Sequence, residues 1–158
     1  MFLAGCRLEW TQESGPPTST FVQETLRDDY YRRMLKNSPV VPYIPATDIA
    51  RARKFYEEKV GLVAREEIAG GVVYECGGSW IFLYHSGGAG TSKASQAFWQ
   101  VSDVEAEVRE LRARGVVFEE YDVPGLKTVN GIATAGDSRA AWFKDSEGNI
   151  MAIIQSMR

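Results

Sequence analysis

A repeat within the sequence constrains the fold more strongly than any other feature. Residues 41–53 read VPYIPATDIARAR and residues 96–108 read QAFWQVSDVEAEV. In both stretches an apolar segment leads to a small hydroxyl residue, then to Asp48 or Asp103, and then to the apolar spacing of an amphipathic helix. A short side-chain oxygen at this point can satisfy the free N–H groups at a helix start.

The two copies also end alike. Gly61 and Gly115 follow the two helical patterns, where a helix C-terminus favours a residue in the left-handed conformation. The aspartates lie 55 residues apart and the glycines lie 54 apart, which indicates a duplicated supersecondary unit. The pattern therefore predicts helices near residues 48–60 and 103–114.

Strand patterns complete each unit. They fall at residues 40–46, 62–68, 71–77 and 80–85 in the first unit, and at 96–101, 116–123, 139–145 and 150–156 in the second. The sequence thus predicts an α+β fold of two βαβββ modules, over residues 39–85 and 96–156, with a Gly/Ser-rich linker at 86–95. Each module would cover one face of its sheet with a helix. The two uncovered faces would form a shared cleft, a natural place for a ligand.

Residues 1–38 are predicted to be an N-terminal arm, because the first 19 residues offer little to bury. Apolar residues at roughly helical spacing indicate a docked helix at 20–37. The alternative is that Met34 is the native start. The stretch FLAGC at residues 2–6 lacks the charged and apolar regions of a signal peptide.

Composition excludes several classes of function. The net charge is −3 and no basic cluster exceeds Arg32-Arg33, which argues against nucleic-acid binding. No apolar run approaches the roughly 18 residues of a membrane helix. The two cysteines, Cys6 and Cys76, are too few for a disulfide framework, so we expect a cytoplasmic protein.

Three stretches resemble the vicinal oxygen chelate superfamily, which includes glyoxalase I, extradiol dioxygenases, and fosfomycin and bleomycin resistance proteins. They read ATDIARARKFYEEKVGL, QVSDVEAEVRELRARGVVF and AAWFKDSEGNIMAII. The last is similar to the family's F-x-D-P-x-G-N ending, with Ser146 in place of the proline. The resemblance covers about residues 39–156. It implies the glyoxalase/bleomycin-resistance-like fold and a homodimer.

The resemblance also implies positions for a metal site, because metal-dependent members hold a divalent ion with side chains from the first and last strands of each module. Those positions correspond to Val41, Phe82, Gln96 and Ala152. Only Gln96 carries a donor atom, and one neutral amide cannot hold a transition metal. His85, the only histidine, is predicted on the face opposite Phe82. We therefore expect no metal and no other cofactor.

Strand alternation predicts what would line the cleft instead. The candidate ligand-binding residues are Val41, Tyr43, Glu75, Trp80, Phe82, Tyr84, Gln96, Phe98, Gln100, Trp142, Ala152 and Ile154. Several of these could equally pack together and fill the cleft. Glu75 would lie opposite Phe82 if Gly78 and Ser79 formed a two-residue turn, and could then act as a general base or bind a cation. Residues 124–138 suit a mobile flap or an ordinary surface loop.

Two functions fit this pattern. The first is a metal-independent binding protein for a flat or apolar small molecule. The second is a lyase, isomerase or dioxygenase-like enzyme that uses Glu75 or Tyr43, or a metal held by other donors. A purely structural dimer module is a third possibility.

Overall fold

The computed structural model describes residues 35–156. Most of the predicted arm and of its helix at 20–37 lies outside these residues. Only the end of the arm is described, and there Leu35–Asn37 form a single 3₁₀ turn. From Val41 onward the described chain is one compact unit.

The first module contains four strands and one helix. The elements are β1 (Tyr43–Ala46), α1 (Ile49–Lys54) continuing as a π-helical segment (Phe55–Val60), β2 (Ala64–Ile68), β3 (Gly71–Cys76) and β4 (Ser79–His85). Its sheet has the order β1-β4-β3-β2, in which β1 is parallel to β4 and the other pairs are antiparallel.

The second module repeats this arrangement and enlarges it. The elements are β5 (Ser95–Gln100), α2 (Val104–Ala113), β6 (Asp122–Val123), β7 (Leu126–Val129), β8 (Ile132–Ala135), β9 (Ser138–Lys144) and β10 (Ile150–Ser156). Its sheet has six strands in the order β5-β10-β9-β8-β7-β6, with β5 parallel to β10.

The two helices begin and end alike. Asp48 accepts a hydrogen bond from the backbone N–H of Arg51 at 3.0 Å, and Asp103 accepts one from Ala106 at 3.0 Å. Gly61 and Gly115 follow with φ angles of 84° and 83°. The predictions of two helices and of the α+β fold are confirmed.

The sequence prediction is wrong between residues 116 and 138. Of the predicted strand at 116–123, only Phe118 bridges to Phe143, and a two-residue strand forms at Asp122–Val123. The predicted loop or flap at 124–138 is instead a strand meander. Two-residue turns connect its strands at Pro124-Gly125, Asn130-Gly131 and Gly136-Asp137. The glycines of these turns have φ angles of 84°, 75° and 56°, which other residues rarely adopt.

The helix-facing sides of both sheets contribute to one core. The first module supplies Ile44, Tyr74 and Leu83, and the second supplies Phe143 and Met151, all fully buried. The ring of Phe55 on the π-helical segment lies 6.3 Å from that of Phe143, so the core is continuous between the modules.

Glu147, in the turn between β9 and β10, joins the second module to the start of α1. Its carboxylate accepts bonds from the backbone and hydroxyl of Thr47, at 2.9 and 2.7 Å, and from Arg51 Nε at 2.7 Å. Burial alone would raise the pKa of Glu147, but these bonds outweigh burial and lower its pKa to about 2. The carboxylate therefore stays charged at neutral pH.

A buried polar network lies beside this carboxylate. The Tyr56 hydroxyl donates to Asp145 at 2.7 Å, and the Asn149 amide donates to the Pro45 carbonyl at 2.7 Å. Asn149 also accepts a bond from the backbone N–H of Gly90 at 2.9 Å, which attaches the 86–95 linker to the β9–β10 turn. Tyr56, Asp145 and Asn149 are all buried, so the junction is specified by polar side chains as well as by packing.

Candidate functional site

The open face of the first sheet, opposite the core, carries an aromatic cluster. Tyr43 and Phe82 are direct partners in the β1–β4 register, and their rings lie 4.8 Å apart. The ring of Tyr84 lies 4.6 Å from that of Tyr43. We call these three residues the aromatic cluster. Tyr43 remains 58% exposed, so the cluster presents apolar surface to solvent.

Gly71 makes room for this cluster on the neighbouring strand β3. A Cβ atom at Gly71 would lie 2.9 Å from the Phe82 ring and would also clash with the Leu83 carbonyl oxygen. The absent side chain therefore lets the Phe82 ring lie against β3.

Glu75 and Trp80 lie at the other end of the same face. Glu75 is the register partner of Trp80, not of Phe82 as predicted, because Gly77 and Gly78 form the hairpin turn. Glu75 still lies on the predicted face of the sheet. Trp80 and Phe82 are two residues apart on β4, so a partner at either position places Glu75 on the same face. Arg65 forms an ion pair with Glu75 and places its guanidinium carbon 4.7 Å from the Trp80 ring centroid. The carboxylate thus already has a cationic partner.

The open face of the second sheet is less continuously aromatic. Ala152 pairs with Phe98 on one side and with Trp142 on the other. Phe98 is 60% exposed, whereas Ala152 is only 2% exposed between its larger neighbours. Gln100 and Ile154 are register partners further along. Tyr121, which the sequence did not single out, packs edge-on against Trp142 at 5.7 Å.

The positions implied for a metal do not fit one. Phe82 belongs to the aromatic cluster, and Val41 precedes β1 with an exposed hydrocarbon side chain. Gln96 falls at a register shift, where Ser95 pairs with Ile150 and the next pair starts at Ala97. Its neutral amide is the only donor at the four positions, and zinc, nickel and iron sites need several imidazole, thiolate or carboxylate donors. Within residues 35–156 no three His, Cys, Asp or Glu side chains are grouped for metal binding.

A cavity of about 500 Å³ brings three of the predicted residues together. Trp80 of the first module and Phe98 and Gln100 of the second line it. The remaining lining is mostly apolar and again comes from both modules. Cys76 also lines this cavity, and burial raises the pKa of its thiol, so it stays protonated at neutral pH.

The other predicted residues are distributed over the two open faces. Tyr43, Phe82 and Tyr84 form the aromatic cluster, while Trp142, Ala152 and Ile154 lie on the second sheet. His85 is exposed at the end of β4. No helix within residues 35–156 has the length and apolarity of a membrane span.

Residues 38–153 match the model of the Glyoxalase/Bleomycin resistance protein/Dioxygenase superfamily. The chain belongs to this superfamily. The superfamily's fold also recurs in solved structures that are similar to this chain. The glyoxalase/bleomycin resistance protein/dioxygenase from Alicyclobacillus acidocaldarius is 16% identical, with a TM-score of 0.58 over 77% of this chain and 93% of that one.

Two further structures of the superfamily's fold carry more specific names. Lactoylglutathione lyase from Agrobacterium tumefaciens is 18% identical, with a TM-score of 0.55 over 75% of this chain and 93% of that one. TnmS3, an antibiotic-binding protein from Streptomyces sp. CB03234, is 22% identical, with a TM-score of 0.54 over 79% of this chain and 100% of that one. No curated protein sequence matches the chain. At these identities the likeness establishes the fold alone.

Proposed function

We propose that this protein binds a flat or apolar small molecule in an aromatic-lined cleft, without a metal ion. The observation that carries the proposal is the position of Phe82. It occupies a place where the resemblance implies a metal ligand, and its ring packs against Tyr43 instead. An aromatic ligand would meet ring surface there rather than donor atoms.

The exposure of Tyr43 and Phe98 supports this proposal energetically. Both residues are more than half exposed, so a ligand that covered them would remove apolar surface from water at about 25 cal/mol per Å². A well-placed aromatic pair adds about 0.5–1.5 kcal/mol beyond that burial. Such contacts favour a ligand with an extended planar ring system.

Proteins of the same fold serve both binding and catalysis, as the names of TnmS3 and of the lactoylglutathione lyase indicate. Binding is the better-supported function for this chain, because the four implied metal positions offer one neutral donor. The enzymatic alternative would use Glu75 or Tyr43. Glu75 is held by Arg65, and the Tyr43 ring lies against Phe82 and Tyr84, so neither side chain has an arrangement that favours proton transfer.

The proposal includes a cytoplasmic homodimer. A second copy that covered the exposed rings of Tyr43 and Phe98 would close the cleft around the ligand. Light scattering at micromolar concentration should report twice the 17.6 kDa chain mass. A mass of one chain would contradict the dimer but not ligand binding.

A thermal-shift screen tests the binding function. A ligand that binds only the folded state raises the melting temperature by mass action. We expect shifts with planar aromatic compounds, and we expect the same shifts in the presence of a chelator. Stabilisation that disappears with the chelator would overturn the proposal.

A further inference from the structure

A cavity of about 760 Å³ lies between α2 and the β7–β8 hairpin. It arises because the second sheet has six strands, while the ten-residue α2 packs on β9 and β10. Strands β7 and β8 extend beyond the helix and leave a space beside it. None of the residues predicted for the cleft lines this cavity.

The cavity is strongly cationic. Its charged lining residues are Arg109, Arg112, Lys127 and Arg139, against the single carboxylate of Glu105. The whole chain carries a net charge of −3, so this excess of positive charge is a local feature. It would attract an anion to this cavity in particular.

Two of the arginines are held in place by contacts within the protein. Arg139 forms an ion pair with Glu105 at 2.7 Å. Arg112 donates to the Asn130 carbonyl at 3.1 Å, and its guanidinium carbon lies 5.6 Å from the Phe118 ring centroid. Their guanidinium groups therefore have defined positions at the cavity wall.

Arg109 differs from them, because its side chain has no hydrogen bond or ion pair with any described residue. Lys127 has only an exposed pair with Asp122 at 3.4 Å, which contributes little. Two cationic side chains at the cavity thus have binding capacity left. The planar guanidinium of Arg109 suits a carboxylate or phosphate group, which it can contact with two parallel N–H donors.

The remaining surface of the cavity is apolar. Val129 and Ile132 contribute hydrocarbon side chains, and Val129 is 66% exposed, whereas the neighbouring Val108 is only 3% exposed. A bare inorganic anion would leave the Val129 and Ile132 side chains in contact with water. A ligand with an apolar skeleton would cover them and gain from their burial.

We propose that this cavity is a second binding site, for a small organic anion that joins a carboxylate or phosphate group to an apolar skeleton. Arg109 and Lys127 bind the anionic group, and Val129 and Ile132 bind the skeleton. The cavity volume falls in the roughly 300–1,000 Å³ range of small-molecule sites. A long polyanion is disfavoured, because it would extend over the otherwise acidic surface of the protein.

Calorimetric titration of the full chain tests this site with cyclohexylacetate, cyclohexyl phosphate and the neutral cyclohexylacetamide, whose saturated rings differ from the planar ligands proposed for the aromatic cleft. We expect both anions to saturate the protein and the neutral amide to bind at least about tenfold more weakly, since it lacks a charge-assisted hydrogen bond. Arg109→Gln should weaken binding of the anions about tenfold and leave the amide unchanged. No saturation by either anion up to millimolar concentration would overturn the proposal.

Matched variants identify the site. Arg114→Gln removes the same charge from the exposed residue that follows α2, outside the cavity lining, and it should leave anion affinity unchanged. Phe98→Ala should also leave it unchanged, which separates this site from the aromatic cleft. Equal weakening by Arg109→Gln and Arg114→Gln would overturn the proposal.

Two competitors test the chemical class. Inorganic phosphate should bind much more weakly than cyclohexyl phosphate, and equal affinity would overturn the proposal, because the aliphatic side chains would then play no part. A polyglutamate peptide should compete poorly. If it bound more tightly than cyclohexylacetate, and only with Arg109 present, the site would belong to an acidic macromolecule and the proposal would be wrong.

Discussion

The ring of Tyr43 lies 4.8 Å from the ring of Phe82, its direct partner on the neighbouring parallel strand. Phe82 stands where the superfamily resemblance implies a metal donor. Aromatic ring surface therefore stands at the position of the implied metal ligand. Because Tyr43 is about half exposed, a ligand can reach this surface. The proposed recognition of a ligand through aromatic contacts rests on this pair.

Replacement of Tyr43 by alanine should weaken the binding of a neutral aromatic probe. N-phenylnaphthylamine, whose fluorescence rises in apolar surroundings, is suitable because it carries no charge for the cationic cavity. We expect roughly five- to tenfold lower affinity, equivalent to the loss of about 1–1.5 kcal/mol of ring contact. Val117→Ala, at an exposed residue, is the control. Unchanged probe affinity in Tyr43→Ala would argue against the aromatic cluster as the binding surface.

Gly71→Ala should disturb the same cluster from the neighbouring strand β3. The added methyl group would lie 2.9 Å from the Phe82 ring and would clash with the Leu83 carbonyl oxygen, which the sheet cannot easily move. We expect a loss of about 1–3 kcal/mol in the free energy of unfolding, measured by urea denaturation. Gly87→Ala is the matched control, because nothing lies within 4 Å of its added Cβ. A Gly71→Ala variant as stable as Gly87→Ala would show that Phe82 does not lie against β3.

Glu147→Gln should destabilise the junction between the modules. Because the pKa of Glu147 is lowered from 4.5 to about 2, its ionised form stabilises the fold above the usual pKa, and this contribution is lost as the pH falls toward 2. We expect a loss of about 2 kcal/mol at pH 7, after a discount for the exposure of Arg51. The variant should also lose less stability than wild type on acidification below about pH 5.

The control for this prediction is Glu58→Gln, which changes an exposed glutamate of the first module. Urea denaturation at several pH values should place its unfolding free energy within about 0.5 kcal/mol of wild type. Equal stability of the two variants at neutral pH would contradict the role of the Thr47–Arg51–Glu147 contacts.

Local chemistry explains which parts of the fold the sequence could predict. Asp48 and Asp103 cap helices through their own side chains, and Gly61 and Gly115 end them through backbone conformation, so those boundaries can be read from neighbouring residues. The meander over residues 122–138 carried a local signal too. Pro124-Gly125, Asn130-Gly131 and Gly136-Asp137 are hairpin turn pairs, but the segments between them are too short to show a strand pattern.

The contacts of the candidate site join residues that are distant in the sequence, so they are harder to predict from it. The face of Glu75 follows from strand alternation, but its partner depends on whether the turn is Gly77-Gly78 or Gly78-Ser79, and both pairs suit a turn. The ion pair with Arg65 depends on the β2–β3 pairing. The cationic cavity requires α2 and the β7–β8 hairpin to lie side by side, and no sequence pattern places Arg109 near Lys127.

Metal analysis of the purified protein, produced with nickel, zinc, iron and manganese in the medium, decides whether ligand binding is independent of a metal ion. Val41, Phe82 and Ala152 have no donor atoms, and Gln96 alone cannot offset the dehydration of a divalent cation. We predict well below about 0.1 metal ion per chain, and no effect of a chelator on probe affinity. About one metal ion per chain, lost on chelation together with ligand binding, would contradict the account.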